Sequence, residues 1–232
     1  MKVTINIVSC LFLALLFSCS GGPEGQKVEA KEAKTPEATA EASMSASGDD
    51  MAFNLNKGTL NWTGSKVVGG SSHTGTIDVA LGDLKVKGGK ITGGQFVIDM
   101  NSINNTDLEA GQGKEKLEGH LKNEDFFDVA VHPKATFIVT GSEVVTGQQD
   151  VTHNITGNLT MKDSTKSITF PANVAIVDNK LTAVTPSFVI DRTQWGIEYG
   201  SSSIVGLAKD KVISNDIALV LSLEATNNAP VQ

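Results

Sequence analysis

Apolar side chains recur at every second position in five segments of the chain, and this spacing dominates its pattern. Alternate residues of a strand point to opposite faces, so each segment predicts a strand with one apolar face. Pairs such as Gly88-Gly89 and Asp178-Asn179 separate the segments and indicate turns. Closely spaced strands without helical patterns between them predict a β-sandwich or a β-barrel. The segments are residues 77–81, 96–100, 168–176, 188–192 and 217–223.

The last of these segments is apolar on both faces. Ile217, Leu219 and Leu221 share one face, while Ala218 and Val220 lie on the other. A strand that is apolar on both sides indicates either a covered outer face or an interior that holds more than a packed core.

One segment departs from the strand pattern and predicts a short helix from Lys114 to Leu121. Leu117 and Leu121 are spaced i, i+4, and so are the oppositely charged Lys114 and Glu118. Because this helix lies between two predicted strands, we expect it to place Leu117 and Leu121 against the wall or mouth of a barrel.

The amino-terminal residues predict export and a lipid anchor. An apolar run from Ile5 to Phe17 follows Lys2 and is too short to cross a bilayer, but it fits the core of a signal peptide. Leu16-Phe17-Ser18-Cys19 resembles a lipobox, in which cleavage precedes a cysteine that is then acylated. We therefore expect a signal peptide over residues 1–18 and lipidation of Cys19. The chain has two cysteines, Cys10 and Cys19, so the mature protein would have no disulfide and no thiol for catalysis.

Composition divides the remaining chain into a tether and a domain. Residues 20–51 contain three Lys against seven Asp or Glu and no aromatic residue, so they lack the apolar surface that offsets the entropy of ordering. We expect residues 19–52 to be a disordered tether with a span of about 30 Å. Residues 53–232 would form one domain, whose fifteen Lys or Arg against nineteen Asp or Glu argue against a nucleic acid partner.

Five motifs follow one another in this domain: F-V-I-D-M-N-S-I (96–103), G-H-L-K-x-x-D-F-F-D-V (119–129), P-K-A-T-F (133–137), I-T-G-N-L-T-M-K (155–162) and F-V-I-D-R-x-x-W-G-I (188–197). Together they resemble the YceI-like family of secreted bacterial proteins. The resemblance implies an all-β, eight-stranded antiparallel barrel of lipocalin-like fold, with an elongated apolar pore for isoprenoid or other long-chain lipids. It also leaves a homodimer open, and we expect no cofactor.

The strand pattern, rather than the family, selects the candidate ligand-binding residues. We predict that inward apolar side chains bind the ligand and that Trp195 lies near the mouth. Arg192 has two interpretations: it binds a polar head group, or, as we favour, it pairs with a carboxylate such as Asp125 or Asp128. The candidates are Phe96, Ile98, Phe137, Phe170, Phe188, Arg192, Trp195 and Leu221.

Other chemistry finds little support in the sequence. The histidines at positions 73, 120, 132 and 153 lack H-x-H or H-E-x-x-H spacing, and Gly200 to Ser203 contains no nucleophile motif, so we predict neither a metal site nor catalysis. The sequence favours a lipid-binding lipoprotein of the bacterial cell envelope. The alternative is a non-catalytic envelope stress or interaction protein whose barrel is filled by its own side chains. The small residues Gly75, Gly157, Ala172 and Ala218 favour a cavity.

Overall fold

A computed structural model describes residues 22–35, 50–204 and 206–227, and most of them form an antiparallel β-barrel. Long strands and short turns follow one another around the wall, as the period-two pattern requires. The described strands are β1 (Gln26–Lys27), β2 (Lys31–Glu32), β3 (Asp50–Ser65), β4 (Ser72–Lys87), β5 (Lys90–Asn105), β6 (Lys134–Val144), β7 (His153–Met161), β8 (Ser164–Val177), β9 (Lys180–Val184), β10 (Phe188–Asp191) and β11 (Asp216–Thr226).

The barrel closes because two short strands share one position in its wall. Strands β3 to β8 pair in sequence order, and β11 pairs with β3. On its other side β11 pairs with β10 along Asp216–Leu219 and with β9 along Ser222–Thr226, while β9 also pairs with the end of β8. Counting β9 and β10 as one interrupted strand gives eight positions, so the predicted eight-stranded antiparallel barrel is confirmed.

The single α-helix of the described chain lies at one end of the barrel, which we call the mouth. Helix α1 spans Lys114–Lys122, which confirms the predicted helix, and it packs mainly against β5. The β3–β4 turn and the segment after β10, with 3₁₀ turns at Arg192–Trp195 and Lys209–Lys211, lie at the same end. Among the described residues, no helix has the length and apolar character needed to cross a membrane.

The prediction of a disordered tether over residues 19–52 is wrong for residues 50–52, which begin β3, and for residues 22–35, which we call the seam segment. Its β1 lies parallel to β10, with Gln26 beside Phe188, and its β2 lies antiparallel to β8, with Lys31 beside Ser167. It fills the gap between β8 and β10 in the mouth half of the barrel, where β9 does not reach. The predicted signal peptide (1–18) and Cys19 lie outside the described residues, as do residues 36–49.

Polar contacts and one buried side chain hold the seam segment. The backbone N–H of Val28 donates to the carbonyl of Val189 at 2.8 Å, and the Val28 side chain, 6% exposed, belongs to the core. The buried amide of Asn158 accepts from the backbone N–H of Lys34 at 2.9 Å and donates to its carbonyl at 2.6 Å. Composition did not indicate this docking, because the unpaired edges of β8 and β10 supply the hydrogen bonds and most of the apolar surface.

A Val28→Asp substitution is expected to release the seam segment. A carboxylate would be excluded from the core position of Val28, so detachment would cost less than burial, and we expect a loss of roughly 2–3 kcal/mol in unfolding free energy. Hydrogen exchange would show faster exchange of the backbone amides at positions 28 and 34. The control is Gln26→Asp on the exposed face of β1. Unchanged exchange in Val28→Asp would contradict the docking.

Candidate ligand-binding cavity

Two cavities of unequal size lie in the barrel interior formed by the described residues. The larger, at the mouth, has a volume of about 280 Å³, and the smaller, in the other half, has about 30 Å³. Drug-sized ligands occupy pockets of roughly 300–1,000 Å³, so only the mouth cavity approaches this size. Its wall is almost entirely apolar and mostly aliphatic. It draws one or more residues from each of seven strands, among them Leu60, Ile77, Ile98, Ala135, Leu159, Ile190 and Leu219.

Three phenylalanine rings lie at the boundary between the two cavities. The centroids of Phe170 and Phe188 are 4.8 Å apart with nearly parallel planes, and Phe137 lies 5.4 Å from Phe170 with a tilted ring. Phe137 extends over Gly157 on the neighbouring strand, where any Cβ would collide with the ring. Phe137 and Phe170 line the small cavity, whereas Ala135 and Ile190, two residues along from Phe137 and Phe188, line the mouth cavity, so the rings lie where one cavity ends and the other begins.

Arg192, the chain's only arginine, is buried beside the mouth cavity and satisfied by main-chain carbonyls. It is 2% exposed, and its guanidinium donates to the carbonyls of Ile197 at 2.6 Å, Tyr199 at 2.8 Å and Ser214 at 3.1 Å. Desolvation lowers the pKa of Arg192 from its ordinary value, and the charge of Asp191 opposes this shift. The favoured carboxylate pair with Asp125 or Asp128 is therefore wrong, because the side chain is surrounded by the carbonyls of an irregular segment.

An aromatic cluster joins Arg192 to the segment after α1. The guanidinium carbon lies 5.8 Å from the centroid of the Phe126 ring, within the range of a cation–π interaction. Phe126 contacts His120 and Tyr199, with centroid separations of 5.0 and 5.2 Å. Arg192 thus contacts the segment after α1 through the Phe126 ring and binds the carbonyls of Ile197, Tyr199 and Ser214 through hydrogen bonds. Neither contact is the predicted ion pair.

Two buried polar atoms at the mouth cavity lack a hydrogen-bond partner among the described residues. They are Nε1 of Trp62 and Oγ of Ser65, and both residues line the cavity. The indole of Trp62 lies against Gly75 of β4, where an added Cβ would be 2.5 Å from Cζ2. Buried donors are normally paired, so these two groups are available to a polar group inside the cavity.

The cavity reaches solvent beside the turn between β3 and β4. Lys66 and Ser71 line it and are exposed, and His73 beside them pairs through Nδ1 with a carboxylate oxygen of Asp107 at 2.8 Å. Desolvation alone would raise the pKa of Asp107, but hydrogen bonds from the Thr74 N–H, His73 and Asn105 outweigh it and lower this pKa. The His73–Asp107 pair thus belongs to the opening, because His73 itself lines the cavity.

The eight predicted ligand-binding residues fall into three groups. Ile98 and Arg192 line the mouth cavity. Phe96, Phe137, Phe170 and Leu221 surround the small cavity, and Phe188 stacks on Phe170 without lining either space. Trp195 is 1% exposed and lines neither cavity. Its Nε1 donates to the carbonyl of Leu159 at 2.9 Å. The choice of these residues as ligand contacts stays a prediction.

Aromatic rings occupy part of the room that small residues were expected to leave. Trp62 covers Gly75 and Phe137 covers Gly157, while Ala172 lines the small cavity. Ala218 alternates with the inward Leu219 and lies on the other face of β11. The open space instead adjoins aliphatic residues that the prediction omitted, such as Leu60 and Ile190. Their inward alternation was the signal that could have identified them.

The remaining polar clusters have structural partners. His153 is buried, and its Nε2 lies 2.8 Å from the carbonyl of Gly89, while His120 pairs with Asp125 at 3.1 Å. Ser201 Oγ donates to the side chain of Asn215 at 2.8 Å within the segment around Arg192. Within residues 22–35, 50–204 and 206–227, no three His, Cys, Asp or Glu side chains are grouped so that they could hold a metal ion.

Comparisons with known proteins agree on the fold. A family model described as the YceI-like domain matches residues 51–225. A polyisoprenoid binding domain from Saccharophagus degradans, implicated in plant cell wall breakdown, is 20% identical with a TM-score of 0.54, over 76% of this chain and 99% of that one. BcnA of Burkholderia cenocepacia is 18% identical with a TM-score of 0.51, over 73% and 96% of the two chains.

None of the curated proteins matches the chain. The two solved structures share its fold, and the family model covers nearly all of the barrel from β3 to β11. The predicted family is confirmed: the chain belongs to the YceI-like family.

Proposed function

We propose that the protein binds a long apolar lipid of the isoprenoid class in its mouth cavity and holds it at the bacterial cell envelope. The observation that carries this proposal is the apolar, mostly aliphatic cavity of about 280 Å³ at the open end of a closed barrel. Each methylene that leaves water for such a wall contributes roughly 0.8 kcal/mol to binding. The Saccharophagus degradans domain, which shares the fold, is described as polyisoprenoid binding.

The polar groups of the cavity suit a ligand with one polar end. Trp62 Nε1 and Ser65 Oγ can donate hydrogen bonds to an acceptor near the opening, where Ser65 adjoins the exposed Lys66. Arg192 is less suited to this role, because its donors are already directed at main-chain carbonyls. We expect the apolar chain to extend from the opening towards the phenylalanine rings.

Acylation of Cys19 would attach this barrel to a membrane. The Leu16-Phe17-Ser18-Cys19 sequence supports this attachment, because it combines an apolar leader with a cysteine at a lipobox position. More than one acyl chain is needed for firm anchoring. In this proposal the protein is an envelope lipoprotein that faces the periplasm or the cell surface.

The filled-barrel alternative draws support from the half of the bore beyond the phenylalanine rings. Only about 30 Å³ is open there, and Phe96, Phe137 and Phe170 occupy most of the space. An envelope interaction protein would need no interior volume at all. The mouth cavity favours the binding function over this alternative, and the two differ in whether lipid remains with the purified protein.

An Ala135→Phe substitution is expected to abolish lipid retention. Ala135 is buried on β6 opposite Ile98 and lines the mouth cavity, so a phenyl ring there would occupy the ligand's volume. The empty space accommodates the ring, so we expect at most about 1–3 kcal/mol of destabilisation. The measurement is native mass spectrometry of residues 22–232 purified from a bacterial host, followed by organic extraction of the bound lipid.

The matched control is Ala80→Phe, the same substitution at an exposed position of β4, which should retain lipid as the parent does. A parent protein that carries no lipid and takes up no added isoprenoid would overturn the proposed function in favour of the filled barrel. Lipid retained by Ala135→Phe at the parental ratio would place the ligand outside the mouth cavity.

A further inference from the structure

The seam segment begins beside residues that line the mouth cavity. Gly22, its first residue, lies beside Ser214, since a Cβ at Gly22 would be 3.5 Å from Oγ of Ser214. The Ser214 N–H donates to the carbonyl of Ser65 at 2.8 Å, and Ser65 lines the mouth cavity. The described chain therefore begins at the rim of the opening.

Chain length then limits how far the acylated residue can be from this rim. Three peptide links separate Cys19 from Gly22, and their fully extended length is at most about 11 Å. The segment that follows is held in place, since Ser187 Oγ donates to the carbonyl of Glu24 at 2.6 Å and Lys27 pairs with Asp216 at 2.9 Å. An acylated Cys19 thus brings the rim close to the bilayer, in contrast to the long tether that composition predicted.

The rim next to Gly22 carries exposed apolar side chains. Val67 and Val68 in the β3–β4 turn are 48% and 46% exposed, and Ile204 in the segment after β10 is 43% exposed. The Val67 N–H donates to the carbonyl of Val212 at 3.0 Å, and Lys66 pairs with Ile213, so the two segments form one continuous edge. Isolated apolar side chains on a surface are ordinary, but Val67 and Val68 are consecutive on this edge. The Ile213 N–H donates to the carbonyl of Gly200 at 2.8 Å, which brings the turn that contains Ile204 to the same edge.

The same edge is basic although the protein as a whole is acidic. Lys66, Lys209 and Lys211 are exposed there, and Asp210 is the acidic residue among them. The whole chain has a net charge of −7. Lysines beside apolar side chains match a membrane interface, where apolar groups enter the acyl region and cations contact anionic head groups, at about 1 kcal/mol per lysine.

We propose that this edge, the membrane rim formed by residues 66–68, 204 and 209–213, rests on the bilayer and opens the mouth cavity towards the lipid. The inference rests on the proposed acylation of Cys19, and it adds the orientation of the barrel and the surface that contacts the membrane. A lipid chain then passes between bilayer and cavity without crossing water, which removes the cost of exposing its methylenes.

Depth-dependent quenching tests this orientation on the acylated protein. The chain's two cysteines are Cys10 and Cys19, so after processing and acylation a new cysteine is the single labelling site. An environment-sensitive fluorophore is attached at Val68→Cys on the membrane rim or at Val144→Cys, which is 50% exposed at the opposite end of the barrel. Each labelled protein is inserted into vesicles of phosphatidylethanolamine and phosphatidylglycerol that contain nitroxide-labelled acyl chains.

Quenching is expected to be several-fold stronger at position 68 than at position 144. Charge reversal of Lys66, Lys209 and Lys211 to Glu should weaken quenching at position 68. Reversal of three exposed lysines at the other end, Lys85, Lys90 and Lys180, should not. Equal quenching at the two positions, or quenching at position 68 that survives reversal of the rim lysines, would overturn the proposal.

Mass spectrometry of the same preparation separates this failure from failure of the proposed function. If the protein is acylated and carries lipid but quenching is equal at the two positions, the proposed orientation is wrong and the proposed lipid binding stands. If Cys19 carries no acyl group, the proposed anchor is wrong, and so is the proposed contact between the membrane rim and the bilayer. A protein that fails to carry lipid yet shows strong quenching at position 68 supports the rim and overturns lipid binding.

Discussion

Replacing Arg192 with methionine is expected to lower the free energy of unfolding by about 3–5 kcal/mol. The substitution keeps most of the aliphatic volume but removes every guanidinium donor. The carbonyls of Ile197, Tyr199 and Ser214 would lose these hydrogen bonds, and Ile197 is fully buried. The irregular segment after β10 would lose its central attachment to the barrel. Urea unfolding followed by tryptophan fluorescence measures the change.

The control is Lys209→Met, which removes an exposed charge from the same segment and should change the unfolding midpoint little. Arg192→Lys is expected to recover only part of the stability, because an ammonium group cannot direct donors at three separated carbonyls. Parental stability of Arg192→Met combined with loss of bound lipid would contradict the structural role and favour the head-group interpretation.

The partners of Arg192 illustrate what a sequence pattern leaves out. An arginine two positions after a buried strand residue predicts burial and therefore a partner. The partners belong to residues 197–214, an irregular segment with no apolar period, so nothing in their side chains indicates that their carbonyls converge. The sequence suggested carboxylates because Asp125 and Asp128 are visible as residue types, whereas a carbonyl is present in every residue.

The barrel itself was predictable because its information is local. Period-two alternation in residues 168–176 and 217–223 marks the inward faces of β8 and β11, and turn residues mark their ends. In residues 77–81 it is correct for Ile77 and Val79 but wrong for Leu81, which is 65% exposed because a β-bulge between Val79 and Leu81 reverses the alternation. Helix α1 was predictable for a similar reason, since Leu117 and Leu121 both reach the mouth cavity. The interruption between β9 and β10 was not, because the break in pairing depends on neighbouring strands.

The seam segment failed prediction for a different physical reason. Residues 22–35 supply few apolar groups of their own, and Val28 alone is buried in the segment. Their order comes from the free edges of β8 and β10, which are distant in sequence, and from the clamp at Asn158. Composition measures what a segment can bury by itself, so it underestimates order that a partner edge supplies.

Large residues were poor markers of the cavity. Phe96, Phe137, Phe170 and Phe188 were selected because they are inward and apolar, but large rings fill the bore and close it. Space remains where smaller aliphatic residues such as Ile98 and Ala135 face inward. Alternation along a strand thus predicts which residues point inward. Whether the interior beside them is filled or open depends on which rings meet across the barrel.

Truncation of Phe170 to alanine is expected to join the two cavities. Its ring lies between Phe137 and Phe188 and adjoins the small cavity. Removal of a buried phenyl ring costs roughly 3–5 kcal/mol of stability, but it also extends the space available beyond the mouth. Because each additional buried methylene contributes about 0.8 kcal/mol, affinity for longer isoprenoid chains should rise more than tenfold relative to the parent protein.

Titration with isoprenoid quinones of increasing chain length measures this effect, and the result is read as the chain length at which affinity stops rising. The control is Phe53→Ala, which removes a fully buried ring from β3 that lines neither cavity. That variant should lose comparable stability without a change in preferred chain length. If affinity stops rising at the same length in the parent and in Phe170→Ala, the phenylalanine rings do not limit how far a ligand enters the barrel. In that case lipid binding would be confined to the mouth cavity whatever the size of the space below it.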